Sequence, residues 1–98
     1  MRNYEVMTIH RPEFVEDDVR SKVREIEALL QARGAEITDT DFWGKRRFAY
    51  EINHIREGYY SVVQFDLDES TDTLDDLDRA LSLSDAVVRH KVVRRDNR

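Results

Sequence analysis

Between Trp43 and Tyr50 the sequence reads Trp-Gly-Lys-Arg-Arg-Phe-Ala-Tyr, a run in which cations alternate with aromatic rings. A guanidinium fork donates two hydrogen bonds at once to a phosphate, and an aromatic face stacks on an unpaired base. The same run suits an exposed strand edge that accepts a partner's strand. It also suits an edge whose charge merely blocks aggregation. A second basic stretch closes the chain, with Arg89, Lys91, Arg94, Arg95 and Arg98 opposed only by Asp96. Tyr4, Tyr59 and Tyr60 are rings that either stack bases or pack. On pattern alone this chemistry reads as RNA or protein binding.

Other chemistries lack their residues. His10, His54 and His90 are scattered, there is no cysteine, and no histidine pair stands at the i, i+4 spacing of a zinc site, so no metal is expected. Asp66, Asp68 and Ser70 mimic the start of a calcium loop, but Thr71 stands where glycine is required and Leu77 where glutamate is required. Gly34, Gly44 and Gly58 stand alone, which excludes a glycine-rich phosphate loop. Asp75 and Asp76 are explained by an exposed helix face without a catalytic role. No converging nucleophile, acid or base remains, so the chain is expected to be no enzyme and to need no cofactor.

The chain has 98 residues with one proline and no apolar run near the roughly 20 residues of a membrane span. It is expected to fold as one domain over residues 1–98, with one two-layer core. The opening MRNYEV lacks the regions of a signal peptide, and the missing cysteines suit a reducing compartment. A cytoplasmic product is expected. Acids outnumber bases 21 to 16, giving a net charge of −5, which on average disfavours a polyanion. The average hides a segregation: residues 66–79 hold seven acids against Arg79 alone, while the two basic stretches carry +3 and +4.

The elements that position these blocks follow from periodicity. Asn3 to Ile9 alternates as a strand with Tyr4 and Val6 on one face. Val15, Val19, Val23, Ile26, Leu29 and Leu30 recur at three and four, which gives a helix of about five turns, with acids in its first turn and Arg33-Gly34 as its stop. Glu36 to Ile52 reads as a strand with a bend at Gly44, Asn53 to Gly58 as a loop, and Tyr59 to Leu67 as the clearest strand. Ser70 or Thr71 is the expected cap of a second helix carrying Leu74, Leu77 and Leu81. Val87 to Val93 is the last strand.

Strand, helix, strand, strand, helix, strand is the split βαβ order of a ferredoxin-like α+β fold. It predicts a four-stranded antiparallel sheet with two helices on one face. The first and third strands lie in the middle, the second and fourth at the edges, and the other face of the sheet is open.

MRNYEV, FWGKRRFAYEI, the GYY opening the third strand and the ending SDAVVRHKVVR resemble, in the same order over essentially the whole chain, the bacterial small-subunit ribosomal protein S6 family. The most distinctive piece is Trp43, Gly44, Arg46, Arg47, Ala49, Tyr50 and Ile52, with its spacing to Gly58 and Tyr59. The resemblance implies a non-enzymatic component of the ribosome that joins ribosomal protein S18 and binds the central domain of small-subunit ribosomal RNA, on the platform. Carried over by position, it implies RNA contacts at Arg2, Tyr4 and Arg89, with Lys91 beside them on the same face. It implies partner-protein contacts along the second strand, at Arg46, Arg47, Phe48 and Tyr50. His90 and Lys91 stand where the family commonly has aliphatics, so a less buried last strand is expected. Two alternatives share the fold. A small-molecule-sensing regulatory module would lack the clustered basic edge. An acyl-phosphate hydrolase would need a glycine-rich loop where this chain has His10-Arg11-Pro12-Glu13.

Overall fold

The computed structural model describes residues 1–68 and 72–95. In chain order the elements are β1 (Arg2–His10), α1 (Glu16–Ala32), β2 (Glu36–Ile52), β3 (Ile55–Leu67), α2 (Asp72–Leu83) and β4 (Val87–Arg95). The strands form one sheet in the order β2-β3-β1-β4, and all three pairings are antiparallel. The predicted split βαβ fold is therefore present, with β2 and β4 as its edges.

Local sequence favours both ends of α1. Glu16, Asp17 and Asp18 occupy the first turn of α1, where the positive end of the helix dipole favours carboxylates. At its C-terminus Gly34 takes φ +91°, its N–H bonds the Gln31 carbonyl, and the Ala35 N–H bonds the Leu30 carbonyl at 3.0 Å. That is a Schellman closure, and it needs glycine because only glycine adopts this φ without strain. Arg33 sits one residue beyond the last turn and pairs with Asp76, tying α1 to α2. The expected cap of α2 at Ser70 or Thr71 lies outside the described residues.

The expected loop from Asn53 to Gly58 is corrected to a two-residue turn. Asn53 and His54 both take positive φ, at 51° and 64°, and the strand resumes at Ile55, opposite Ile52. Two positive φ values in succession give the twist that closes a tight hairpin, and asparagine tolerates that region well. Gly58 thus belongs to β3, paired with Arg46. The bend at Gly44 is real: it has φ +84° and coincides with a register shift between Phe42 and Gly44.

The core lies between the helices and one face of the sheet. Val6, Val63, Phe65 and Leu67 meet Val23, Ile26 and Leu30 of α1 and Leu77 and Leu81 of α2. Phe65 is fully buried, a contribution of about 1.5–3 kcal/mol relative to exposure. Two hydroxyls enter this layer as a pair, Thr8 and Ser61 bonding at 2.7 Å, so neither is left unsatisfied. β4 contains no fully buried residue, which matches the polar His90 and Lys91 in it.

Candidate functional site

Register assigns every strand residue to a face, because cross-strand partners point the same way. Tyr4 pairs with Phe65 and Arg94, and Val6 pairs with Val63 and Val92, so these residues share the helix-covered face. On the open face Ile9 lies between Tyr60 and Arg89, and Met7 lies between Val62 and Lys91.

This placement divides the four expected RNA contacts. Arg2 pairs with Leu67 and Tyr4 with Phe65, which puts both on the helix side of the sheet. The Tyr4 ring is half-buried and stacks on Phe65 at 5.7 Å with 24° between the planes. Arg89 and Lys91 are exposed on the opposite face. Along β1, Tyr4 and Ile9, the register partner of Arg89, are five residues apart, about 17 Å in a strand. The expectation of one shared face is therefore corrected: the structure brings Arg89 and Lys91 together and separates them from Arg2 and Tyr4. The cation beside Tyr4 is instead Arg94, its partner on β4.

Among the described residues, Arg89 and Lys91 form no ion pair or side-chain hydrogen bond, whereas Arg95 on the same face pairs with Glu5 at 3.3 Å and also meets Gln64. At that end Asn3 also donates to Asp66 at 2.8 Å. One end of the open face is thus internally neutralised, and the other holds uncommitted charge.

The β2 side of the open face is aromatic. Trp43 stacks on Tyr60 at 6.0 Å and 7°, and its indole N–H donates to Asp41 at 2.8 Å. Phe48 meets the edge of Tyr60 at 5.8 Å and 65°. Ile9 and Val62 on this open face are buried although no helix covers them. Sequence alternation places them on the open face but gives no sign of that burial. Arg46 and Arg47 border a shallow depression with Trp43 and Tyr60. The Arg46 guanidinium Nε–H donates to the Trp43 carbonyl at 3.3 Å. Arg47 is exposed and has no ion pair among the described residues.

Farther out, β1 ends opposite Tyr59, so the hairpin from Gly58 to the turn projects beyond the third strand. Tyr50 lies on this arm and is 85% exposed. Of the four expected partner contacts, Phe48 is packed on the sheet, Arg46 and Arg47 flank the depression, and Tyr50 stands apart on the arm. Charge on the remaining cations is mostly spent locally: Arg20 and Arg56 form ion pairs with Glu16 and Glu51 at 3.0 and 3.1 Å.

Known proteins resemble the chain over nearly its full length. The sequence profile of the family described as Ribosomal protein S6 matches residues 3–94. Small ribosomal subunit protein bS6 of Desulforamulus reducens is 44% identical over 94 residues, 96% of this chain and 97% of its own length. The bS6 of Carboxydothermus hydrogenoformans is 46% identical over 96 residues, 98% of each. Among solved structures, 30S ribosomal protein S6 from Thermotoga maritima superposes with a TM-score of 0.90 at 29% identity, covering 96% of this chain and 87% of that one. The C-terminal domain of MgtC from Mycobacterium tuberculosis reaches a TM-score of 0.64 at 15% identity, covering 96% of this chain and 87% of that one, which is a likeness of fold alone. With a profile match across residues 3–94 and two relatives well above 40% identity, the chain belongs to the ribosomal protein S6 family, whose members are structural, non-enzymatic proteins of the small ribosomal subunit.

Proposed function

We propose that the chain binds the central domain of small-subunit ribosomal RNA, on the platform, and does so together with ribosomal protein S18. The observation that carries this reading is that Arg89 and Lys91, on an edge strand of a net-acidic protein, are exposed cations without an ion pair among the described residues. Cations already paired within the fold gain little from phosphate, whereas free ones release counterions when they meet it. In this reading Arg89 and Lys91 hold phosphate from the open face, while Arg2 and Tyr4 meet RNA at the other end of β1. Arg46, Arg47, Phe48 and Tyr50 face the partner protein along β2. Family membership gives the small-molecule-sensing alternative no support.

A net charge of −5 with few free cations favours binding that depends on a partner. The test is binding of the central-domain RNA with and without S18, measured across salt. The expected result is weak, steeply salt-dependent binding alone and tight binding with S18. Equal affinity in both conditions overturns the joint reading.

A further inference from the structure

Where β2 borders the open face, a shallow depression of about 620 Å³ is lined by Asp41, Phe42, Trp43, Arg46, Arg47 and Tyr60. That volume is within the range of small-ligand sites, roughly 300–1,000 Å³. Three kinds of group meet there. The first is an aromatic plate: Tyr60 takes one face of the Trp43 indole at 6.0 Å and 7°, and Trp43 nonetheless stays 46% exposed. The second is cationic. Arg46 donates its Nε–H to the Trp43 carbonyl at 3.3 Å, and neither Arg46 nor Arg47 has an ion pair among the described residues. The third is the Asp41 carboxylate, which accepts the indole N–H at 2.8 Å. An ionised carboxylate has about four acceptor positions, so this bond leaves room for others. Asp41 shares the depression with both guanidinium groups and pairs with neither.

We propose that the depression binds one unpaired guanine nucleotide: the base stacks on Trp43, its Watson–Crick edge bonds Asp41, and the phosphate meets Arg46 and Arg47. Stacking accepts any base, because every base has a π-face, and forked cations select phosphate. The carboxylate discriminates. Guanine alone offers a carboxylate two adjacent donors, N1–H and the amino group. Adenine and cytosine place an acceptor nitrogen beside their amino group, and uracil flanks its one N–H with carbonyls. An acidic peptide would meet the arginines but set its own carboxylate against Asp41. A nucleotide engages all three kinds of group. The open strand edge admits it free in solution or unpaired within an RNA. This site lies beyond the RNA contacts proposed on β1 and β4, and its test omits S18, so its failure would leave the assignment of Arg46 and Arg47 to that partner intact.

The chain has a single tryptophan, so its indole N–H gives one NMR signal that reports on this site. The ¹⁵N-labelled full chain is titrated separately with guanosine monophosphate, adenosine monophosphate, ribose 5-phosphate and guanosine. A saturable shift of that signal is expected, with guanosine monophosphate about ten-fold tighter than adenosine monophosphate or ribose 5-phosphate, the scale of one charge-assisted hydrogen bond. Arg47→Ala should weaken guanosine monophosphate several-fold and leave guanosine unchanged. Asp41→Ala should remove the preference for guanine over adenine while the shift persists. Two hexanucleotides of uridine, one carrying a central guanine, separate the sources. A guanine-bearing strand that binds more tightly than the monophosphate identifies RNA as the source, and one that binds more weakly identifies the free nucleotide. No saturable shift, equal affinity for the two monophosphates or for ribose 5-phosphate, undiminished binding to Arg47→Ala, or an unchanged guanine preference in Asp41→Ala each overturn the proposal. If Asp41→Ala does not fold, the ratio of the two monophosphates on the unaltered chain and the Arg47→Ala result decide.

Discussion

A Cβ on residue 58 would stand 2.7 Å from the carbonyl oxygen of His10, so Gly58 is what lets β3 run past the end of β1. The same Cβ would meet Ile9 Cγ2 at 2.7 Å and Phe48 Cζ at 3.2 Å. Side chains can yield, but a backbone carbonyl within a sheet yields poorly. Gly58→Ala should therefore destabilise the fold by about 1–3 kcal/mol in urea unfolding, in the range of overpacked cores. Removing the Phe48 ring in a double variant should not restore it. An unchanged midpoint for Gly58→Ala would show that the strands do not approach this closely.

Residue 10 supplies a pH prediction. Burial, followed by the charge of Lys22, lowers the His10 pKa from 6.5 to about 4. Between those values the unfolded chain binds a proton that the folded chain refuses, so stability falls as pH drops from 6.5 towards 4 and this contribution levels off below. The whole effect is at most ~3 kcal/mol. Carboxylates titrate in the same range, so the measurement is the difference in slope between the unaltered chain and His10→Leu. Parallel curves from pH 7 to 4 would show that His10 is no more protected from protonation in the fold than in the unfolded chain.

What sequence could show and what it could not divides along one line. Periods carried within a segment were legible: the alternation of Val63, Phe65 and Leu67, the spacing of Val19, Val23, Ile26 and Leu30, and the stop at Gly34 all correspond to the observed elements. Relations between segments were not. Alternation gives each of Tyr4 and Arg89 a face within its own strand, but only the register of β1 against β4, which pairs Tyr4 with Arg94 and Arg89 with Ile9, shows that the two faces are opposite. Gly58 read as loop because glycine and asparagine usually mark turns, whereas its role is close approach within a strand. The burial of His10 depends on both helices and leaves no local trace.

Because Tyr4 stacks on Phe65, its contribution to RNA binding must be separated from its contribution to the fold. Tyr4→Ala removes a half-buried ring against the core and should cost about 2–4 kcal/mol of stability. Tyr4→Phe keeps the stack and should lie within about 0.5 kcal/mol of the unaltered chain. RNA affinity is therefore to be compared between Tyr4→Phe and the unaltered chain. A large stability loss in Tyr4→Phe would mean that its hydroxyl supports the fold, and the assignment to RNA would lose its basis.

Arg89 and Lys91 are exposed and unpaired among the described residues, so their removal should leave folding alone. Arg89→Ala should weaken assembly with RNA and S18 by about 1–3 kcal/mol, with thermal unfolding unchanged. Lys91→Ala should lower the slope of log affinity against log salt by about 1 if it holds one phosphate. Arg20→Ala, which breaks an ion pair on α1, should leave that slope as it was. Equal effects from Arg20→Ala and Arg89→Ala would indicate long-range charge, not a contact at the β4 edge.

Phe48 and Tyr50 lie two residues apart on β2 but meet opposite demands, and that contrast tests the partner face. Phe48 is held against Tyr60, so Phe48→Ala should destabilise the fold by about 1–3 kcal/mol whether or not a partner binds. Tyr50 is 85% exposed on the projecting arm, with no ring or cation contact among the described residues. Tyr50→Ala should leave stability within about 0.5 kcal/mol. If the ring is an anchor for S18, the same change should weaken that complex by about 1–2 kcal/mol, the scale of an aromatic interface residue. Calorimetry with S18 in the absence of RNA reads this directly. Undiminished affinity for Tyr50→Ala would remove the arm from the interface, leaving the depression beside Trp43, Arg46 and Arg47 as the surface that S18 must cover.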